Sequence, residues 1–207
     1  MQKQLPFERK MNKLRRHQIS RQTAETDIEL DFSIDGSGET NIKTGVGFLD
    51  HMLLLMTKHG SFDLKVLCNG DLEVDQHHTT EDIGIALGQA YNEALGDKAG
   101  ITRYATITTP MDESLSTLSI DVSGRPCLVY HVDGLKDKVG DFDTELVEEF
   151  FQGFVNHAKV ALHIQLHYGK NTHHMIESIF KGFGRTLREA AFVSGRFKGV
   201  PSTKGLL

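Results

Sequence analysis

The sequence predicts an α+β fold made of two copies of one half, each a small sheet carrying two helices on one face, with the helices of both halves packed between the two sheets. Three observations predict it. First, "FDLKVLCNGDLEVDQHHTTEDIGIALGQAYNEAL" and "AKVALHIQLHYGKNTHHMIESIFKGFGRTLREAA" superpose without a gap, placing His77-His78 on His173-His174, Glu81 on Glu177, Gly88 on Gly184 and Glu93-Ala94 on Glu189-Ala190. Second, a two-residue gap brings the upstream "DHMLLLMTKHG" onto "EEFFQGFVNHA", with His51 on Glu149 and His59 on His157. Third, apolar spacing in each half changes from strand-like alternation to helical periodicity twice.

In order along the chain, "TDIELDFSI" alternates as a strand should, and "NIKTG" after a Gly-Ser-Gly turn is expected to complete a hairpin with it. A helix follows, with Phe48, Leu49, Met52, Leu55 and Met56 on one face. A strand around Leu64 to Cys68 leads to a helix from about His77 to Leu95, with Ile83, Leu87, Ala90 and Ala94 inward. The second half predicts strands near 103–109, 115–122 and 127–132, then helices near 143–159 and 174–192 with a strand between them. The resulting division is a basic, mobile N-terminal leader at 1–17, a first repeat half at 18–100, a second at 101–194, and a C-terminal tail at 195–207.

Composition narrows the function classes. A formal charge of -5 argues against a nucleic-acid partner, which calls for a basic surface. No apolar run is long enough to span a bilayer, and the leader lacks the apolar segment of a secretory signal, so no membrane role is expected. The two cysteines, Cys68 and Cys127, lie in apolar strand-like runs and outside any CxxC pair, which reads as two buried, reduced thiols in a cytoplasmic setting.

The informative excess is histidine, eleven in all. Neighbouring helix residues project about 100° apart, so His77 and His78 are poorly placed to grip one ion and well placed to serve two. Glu81 lies one turn on, within reach of either, and His173, His174 and Glu177 repeat the arrangement. The duplication therefore points to a two-metal site supplied by both halves, or by halves of neighbouring subunits, with His51 and Glu149 as further ligands. Imidazole and carboxylate together suit Mn, Fe, Co or Zn. A single such cluster would equally suit helix capping; its recurrence favours metal.

Arg125 at a turn into a strand, Arg103, Lys181, and Ser202, Thr203 and Lys204 of the tail are groups suited to holding an anion. Glu25 stands beside a strand start and says nothing alone. Two further functions fit paired ions beside an anion site: a two-metal phosphoesterase, and a metal-glued assembly without catalysis.

"RQTAETDIEL", "NIKTGVGFLDHMLLLMTKHGSFDL", "EVDQHHTTEDIG", "YATITTPMDESL", "DVSGRP", "FDTELVEEFF" and "GKNTHHMIESIFKGFGRTLREA" closely resemble, in order over about 18–207, the imidazoleglycerol-phosphate dehydratase family of histidine biosynthesis. The resemblance implies a monofunctional, manganese-dependent hydro-lyase that converts D-erythro-imidazoleglycerol phosphate to imidazole-acetol phosphate and water. It implies two Mn2+ per active site, one held by His51, His78, Glu81 and His173, the other by His77, Glu149, His174 and Glu177. Many relatives have histidine where this chain has Glu149, and a carboxylate there still suits Mn2+. It further implies an imidazolate between the ions that expels hydroxide through a diazafulvene-like intermediate, with Glu25 and Glu177 moving protons. Substrate contacts are expected from Glu25, His51, His59, His77, Glu81, Arg103, Arg125, His173, Lys181, Ser202, Thr203 and Lys204, the cationic and tail residues on the phosphate; Gln22 is a lesser candidate. For the family, the halves are ferredoxin-like, of the type of the ribosomal S5 second domain. They are expected to build trimers and a closed homo-oligomer of about 24 chains with active sites at subunit interfaces.

Overall fold

The computed structural model describes residues 14–195 and 198–207; most of the predicted leader lies outside these residues. The first half comprises β1 (Arg16–Gln22), β2 (Thr26–Ser33), β3 (Thr40–Lys43), α1 (Gly47–Gly60), β4 (Asp63–Gly70) and α2 (His77–Leu95). The second comprises β5 (Tyr104–Met111), β6 (Ser114–Asp121), β7 (Cys127–His131), a two-rung hairpin of β8 (Lys138–Val139) and β9 (Phe142–Asp143), α3 (Leu146–Ala158), β10 (Ala161–Tyr168) and α4 (Thr172–Ala191). Leaving the small hairpin aside, both halves run β-β-β-α-β-α.

Their sheets share one topology, β1-β2-β4-β3 and β5-β6-β10-β7, with the last pair of each parallel. Here the sequence reading needs correction. β3 does not fold back on β2 as a hairpin; it crosses through α1 and lies parallel to β4, Ile42 opposite Val66. Four residues are too few to compete for the β2 edge, which an eight-residue β4 fills along its whole length. The leader also ends earlier than residue 17. Arg16 and His17 open β1, and Arg15 binds Asp35 at 2.6 Å while donating to the Ala191 carbonyl at the end of α4. β1 alternates exposed and half-buried residues with little apolar content, so its strand signal is weak in the sequence.

The four helices lie between the sheets. α2 packs on β1 and β2 and crosses α3, and α4 packs on β5 and β6 and crosses α1. Inward alternation of β2 supplies Ile28, Leu30 and Phe32 to the core, and the second half fills it with Phe150, Phe151, Phe154, Phe180 and Phe183. Ring centroids of Phe154 and Phe183 are 4.9 Å apart and nearly perpendicular, the edge-to-face arrangement aromatic quadrupoles favour.

The duplication survives at atomic detail. A Cβ on Gly88 would sit 2.4 Å from the Phe154 carbonyl oxygen, and one on Gly184 would sit 2.1 Å from that of Met56. Gly88 and Gly184 are repeat mates, as are Phe154 and Met56, so the two helix crossings are the same contact made twice. Both upstream helices also end on a non-glycine residue in the left-handed conformation, Ser61 at φ 51° and Lys159 at φ 56°, again equivalent positions.

Cys68 is buried as expected, its thiol pushed up to about 11 by desolvation. Cys127 is exposed, contrary to expectation, because β7 is an edge strand and Cys127 is its first residue. Among the described residues no helix is long and apolar enough to cross a membrane.

Candidate active site

Each histidine pair opens a helix. Asp75 accepts the His77 N–H at 2.7 Å at the start of α2, and the N-cap Asn171 accepts that of His173 at 2.9 Å at the start of α4. Rings within each pair stand at 83°, with centroids 6.0 Å apart for His77 and His78 and 6.4 Å for His173 and His174. Neighbouring imidazoles thus diverge, and neither pair can close on one ion.

One set of donors converges. His51 Nε2 lies 2.8 Å and His173 Nε2 3.2 Å from the same Glu177 oxygen, Oε1. The ligand atoms of these three lie within 4.8 Å of one another, the one such group among the described residues. α1 brings His51 here and α4 brings His173 and Glu177, one helical turn apart, so the site sits across the α1–α4 crossing. Phe48 meets the His173 ring edge-on at 5.3 Å and packs on Phe142 of the β8–β9 hairpin, walling an open cavity of about 500 Å³ lined also by His51 and Gln76.

Glu177 is almost fully buried. Burial alone would raise its carboxyl, but the Lys181 ammonium at 2.6 Å and the His51 and His173 rings hold it down to about 2. It is an anion at neutral pH. A buried carboxylate with two imidazole nitrogens on one oxygen is a donor set that fits a borderline divalent cation, with Lys181 balancing the second oxygen.

The remaining predicted ligands stand apart from this cluster within the chain. His77 Nε2 faces Glu81 at 3.8 Å. His78 binds Asp71 through Nδ1 at 2.9 Å and faces Glu25 with Nε2 at 3.6 Å. His174 binds Glu113 through Nδ1 at 2.9 Å. Hydrogen bonds donated to these carboxylates raise both His78 and His174 above the ordinary histidine value. Glu149 on α3 is half-buried and outside the cluster.

Of the expected anion-binding groups, Lys181 pairs with Glu177, and Arg103 makes two bonds to Asp121 and one to the Pro201 carbonyl while covering the Tyr104 ring. Leu207 abuts Gly124, next to Arg125, so the tail carrying Ser202, Thr203 and Lys204 folds back over the two arginines' loops. His59 lines a separate basic pocket with Lys58, Arg185 and Arg188; burial, then Lys181 and Arg185, lower its proton affinity.

Sequence reasoning missed Asp71 and Glu113. Glu113 caps a hairpin turn in the second half as Glu25 does in the first, a correspondence visible only once the strands are paired. It also missed a partly buried ion pair between β1 and the first turns of α2, Arg21 with Asp82 at 2.9 Å, where the Thr26 hydroxyl donates to the same carboxylate oxygen.

A duplicated α+β chain that sets one imidazole from each repeat half at a cavity, with a buried carboxylate against both, fits a class: small-molecule enzymes with a cation site between repeat halves. The family model of imidazoleglycerol-phosphate dehydratase matches residues 44–187. The chain is 59% identical to the imidazoleglycerol-phosphate dehydratase of Oceanobacillus iheyensis and 57% identical to that of Methylorubrum extorquens, each over 94% of this chain and all of the relative. It superposes on the dehydratase structure from Staphylococcus aureus with TM-score 0.79 and 45% identity, over 86% of this chain and 99% of that one. With the Pyrococcus furiosus enzyme in complex with (S)-C348 the TM-score is also 0.79, at 36% identity, over 91% of this chain and all of that one. The chain belongs to the imidazoleglycerol-phosphate dehydratase family, hydro-lyases of histidine biosynthesis.

Proposed function

We propose that the chain dehydrates D-erythro-imidazoleglycerol phosphate to imidazole-acetol phosphate with two Mn2+ per active site, as a cytoplasmic homo-oligomer of about 24 chains whose sites are completed between subunits. The observation that carries this reading is the convergence of His51, His173 and Glu177 beside divergent, partly exposed His77, His78 and His174. A chain that gathers three of its eight candidate ligands and leaves the other five apart, in the first turns of α2, α3 and α4, fits a site completed by a neighbouring copy.

The convergence groups His51, His173 and Glu177 on one ion, and His77 faces Glu81 for the other, so Glu81 and Glu177 exchange places relative to the ligand sets the resemblance implies. His78 would complete the first site, and His174 and Glu149 the second. When bound, the ions supply Lewis acidity that stabilises negative charge on the substrate's imidazole, whose electrons can then expel hydroxide. This chain's own groups do the rest. Glu177, ionised and buried against His51, His173 and Lys181, is the carboxylate nearest the cavity's two histidines and the candidate for moving a proton there. Glu25, largely exposed and 3.6 Å from His78, can reach a substrate hydroxyl. Arg103 is anchored by Asp121 beside the tail, so Arg125, Ser202, Thr203 and Lys204 can close on a phosphate and orient the reacting carbons.

The test is an assay of purified protein with Mn2+ and imidazoleglycerol phosphate. Imidazole-acetol phosphate is expected; release of inorganic phosphate without a keto product would overturn the reading in favour of a phosphoesterase. Glu177→Gln is expected to lower kcat at least about 100-fold while assembly persists.

A further inference from the structure

Among the described residues, the five candidate metal-binding histidines divide by which nitrogen is already committed. His51, His77 and His173 meet carboxylates through Nε2. His78 and His174, the second member of each pair, are the two that form a hydrogen bond through Nδ1, to Asp71 Oδ2 and Glu113 Oε2, both at 2.9 Å. An ionised carboxylate only accepts, so Nδ1 must carry the hydrogen in each ring. In the neutral imidazole this leaves the lone pair on Nε2. We propose that Asp71 and Glu113 are positioning residues, which fix His78 and His174 as Nδ1–H tautomers, aim their Nε2 atoms at a cation, and raise their basicity as ligands.

Glu113 is itself fixed. Its Oε1 accepts the backbone N–H groups of Lys170 at 3.2 Å and Asn171 at 2.8 Å, at the start of α4, leaving Oε2 for His174. The same short segment therefore sets the helix start, the carboxylate and the ring. Asp71 does the corresponding task from another place, the loop after β4, where its backbone N–H donates to the Glu25 carbonyl at 3.0 Å.

The two orienting carboxylates are not repeat mates. In the second half the carboxylate comes from the β5–β6 turn; in the first half the corresponding β1–β2 turn holds Glu25, which faces the opposite nitrogen of His78. Asp71 has taken over ring orientation there, and Glu25 is thereby free to approach substrate. Duplication supplied both turns with an acidic residue, and only one of them is committed to a histidine Nδ1.

This inference rests on the two-ion reading above, in which His78 and His174 serve different ions. Each carboxylate then governs one ion. The experiment is a Mn2+ titration of the assembled full-length protein, followed by the EPR signal of free Mn2+, with assembly checked by light scattering. The wild type is expected to bind two ions per chain. Asp71→Ala and Glu113→Ala are each expected to leave one ion at wild-type affinity and weaken the other 10–100-fold. Asp71→Asn and Glu113→Gln, whose amide oxygen still accepts from Nδ1 and, for Gln, from the Lys170 and Asn171 N–H groups, are expected to recover most of that loss. Uptake of no Mn2+ by the wild type would overturn the metal reading itself. Two ions at unchanged affinity in both alanine variants would overturn this inference alone. If Glu113→Ala fails to assemble, Asp71→Ala, whose side chain supports no backbone group, decides by the same criterion.

Discussion

Replacing Gly184 by alanine tests whether the α1–α4 crossing sets the geometry of the candidate site. The added Cβ would lie 2.1 Å from the Met56 carbonyl oxygen. That is roughly 1 Å short of a tolerable carbon–oxygen contact, and the obstacle is helix backbone that cannot rotate away. Alanine gains about 1 kcal/mol of helix propensity over glycine. Overpacking of this kind costs about 1–3 kcal/mol, so net destabilisation of up to about 2 kcal/mol is expected. The functional effect should be larger. His51 precedes Met56 on α1 and Glu177 precedes Gly184 on α4, each by no more than about two turns. Helices forced about 1 Å apart at the crossing would therefore carry the 2.8 Å His51–Glu177 contact beyond hydrogen-bonding range. Gly88→Ala is the matched variant at the other crossing, an equivalent clash of 2.4 Å with the Phe154 carbonyl between α2 and α3, which carry His77, His78, Glu81 and Glu149. Urea denaturation at fixed protein and metal concentration, with Mn2+ titration alongside, separates the outcomes. Both variants should lose similar stability, and each should weaken the Mn2+ whose ligands its own crossing carries while sparing more of the other. If Gly184→Ala proved as stable as wild type with unchanged Mn2+ binding, the crossing would not be setting the site.

Asp82→Ala should cost about 1–3 kcal/mol in denaturant unfolding, because it leaves the half-buried Arg21 guanidinium without its carboxylate and the buried Thr26 hydroxyl with only Thr23; surface variants such as Lys138→Ala should cost under about 0.5 kcal/mol. In thiol titration of the folded protein with a chromogenic disulfide at pH 8, Cys127 should react quickly and Cys68 only after unfolding, since burial holds the Cys68 thiol protonated. The Asp63 carboxyl, although opposed by burial, is held below its ordinary value by the backbone N–H groups of Ser37, Glu39 and Gly38. A depressed folded-state value contributes stability above the unfolded carboxylate value and loses it as pH falls through the folded one. Asp63→Ala should therefore be less stable than wild type at pH 7, and the gap between the two urea midpoints should narrow as pH falls through the folded-state value.

The helices and the central strands were legible because burial on one face leaves a periodic trace: α2 begins at His77 and ends at Leu95, as its apolar spacing indicates. β1 left no such trace, being an edge strand with few apolar residues, and its partner preference emerges only from β2. The parallel placement of β3 depends on a crossover through α1, which local turn chemistry cannot encode. At the site, the histidine pairs and Glu177 were legible through repetition. Asp71 and Glu113 were not, because they break the repetition and acquire meaning only from the ring nitrogen they face.

The paired glycine crossings have a further consequence. Gly88 over Phe154 and Gly184 over Met56 are one contact related by a pseudo-two-fold axis through the middle of the chain. The surface each half offers the other is therefore isologous in form, as in a symmetric dimer of two short chains. A substitution at one crossing thus has a counterpart at the other that meets the same steric demand, so the two halves cannot change their shared seam independently.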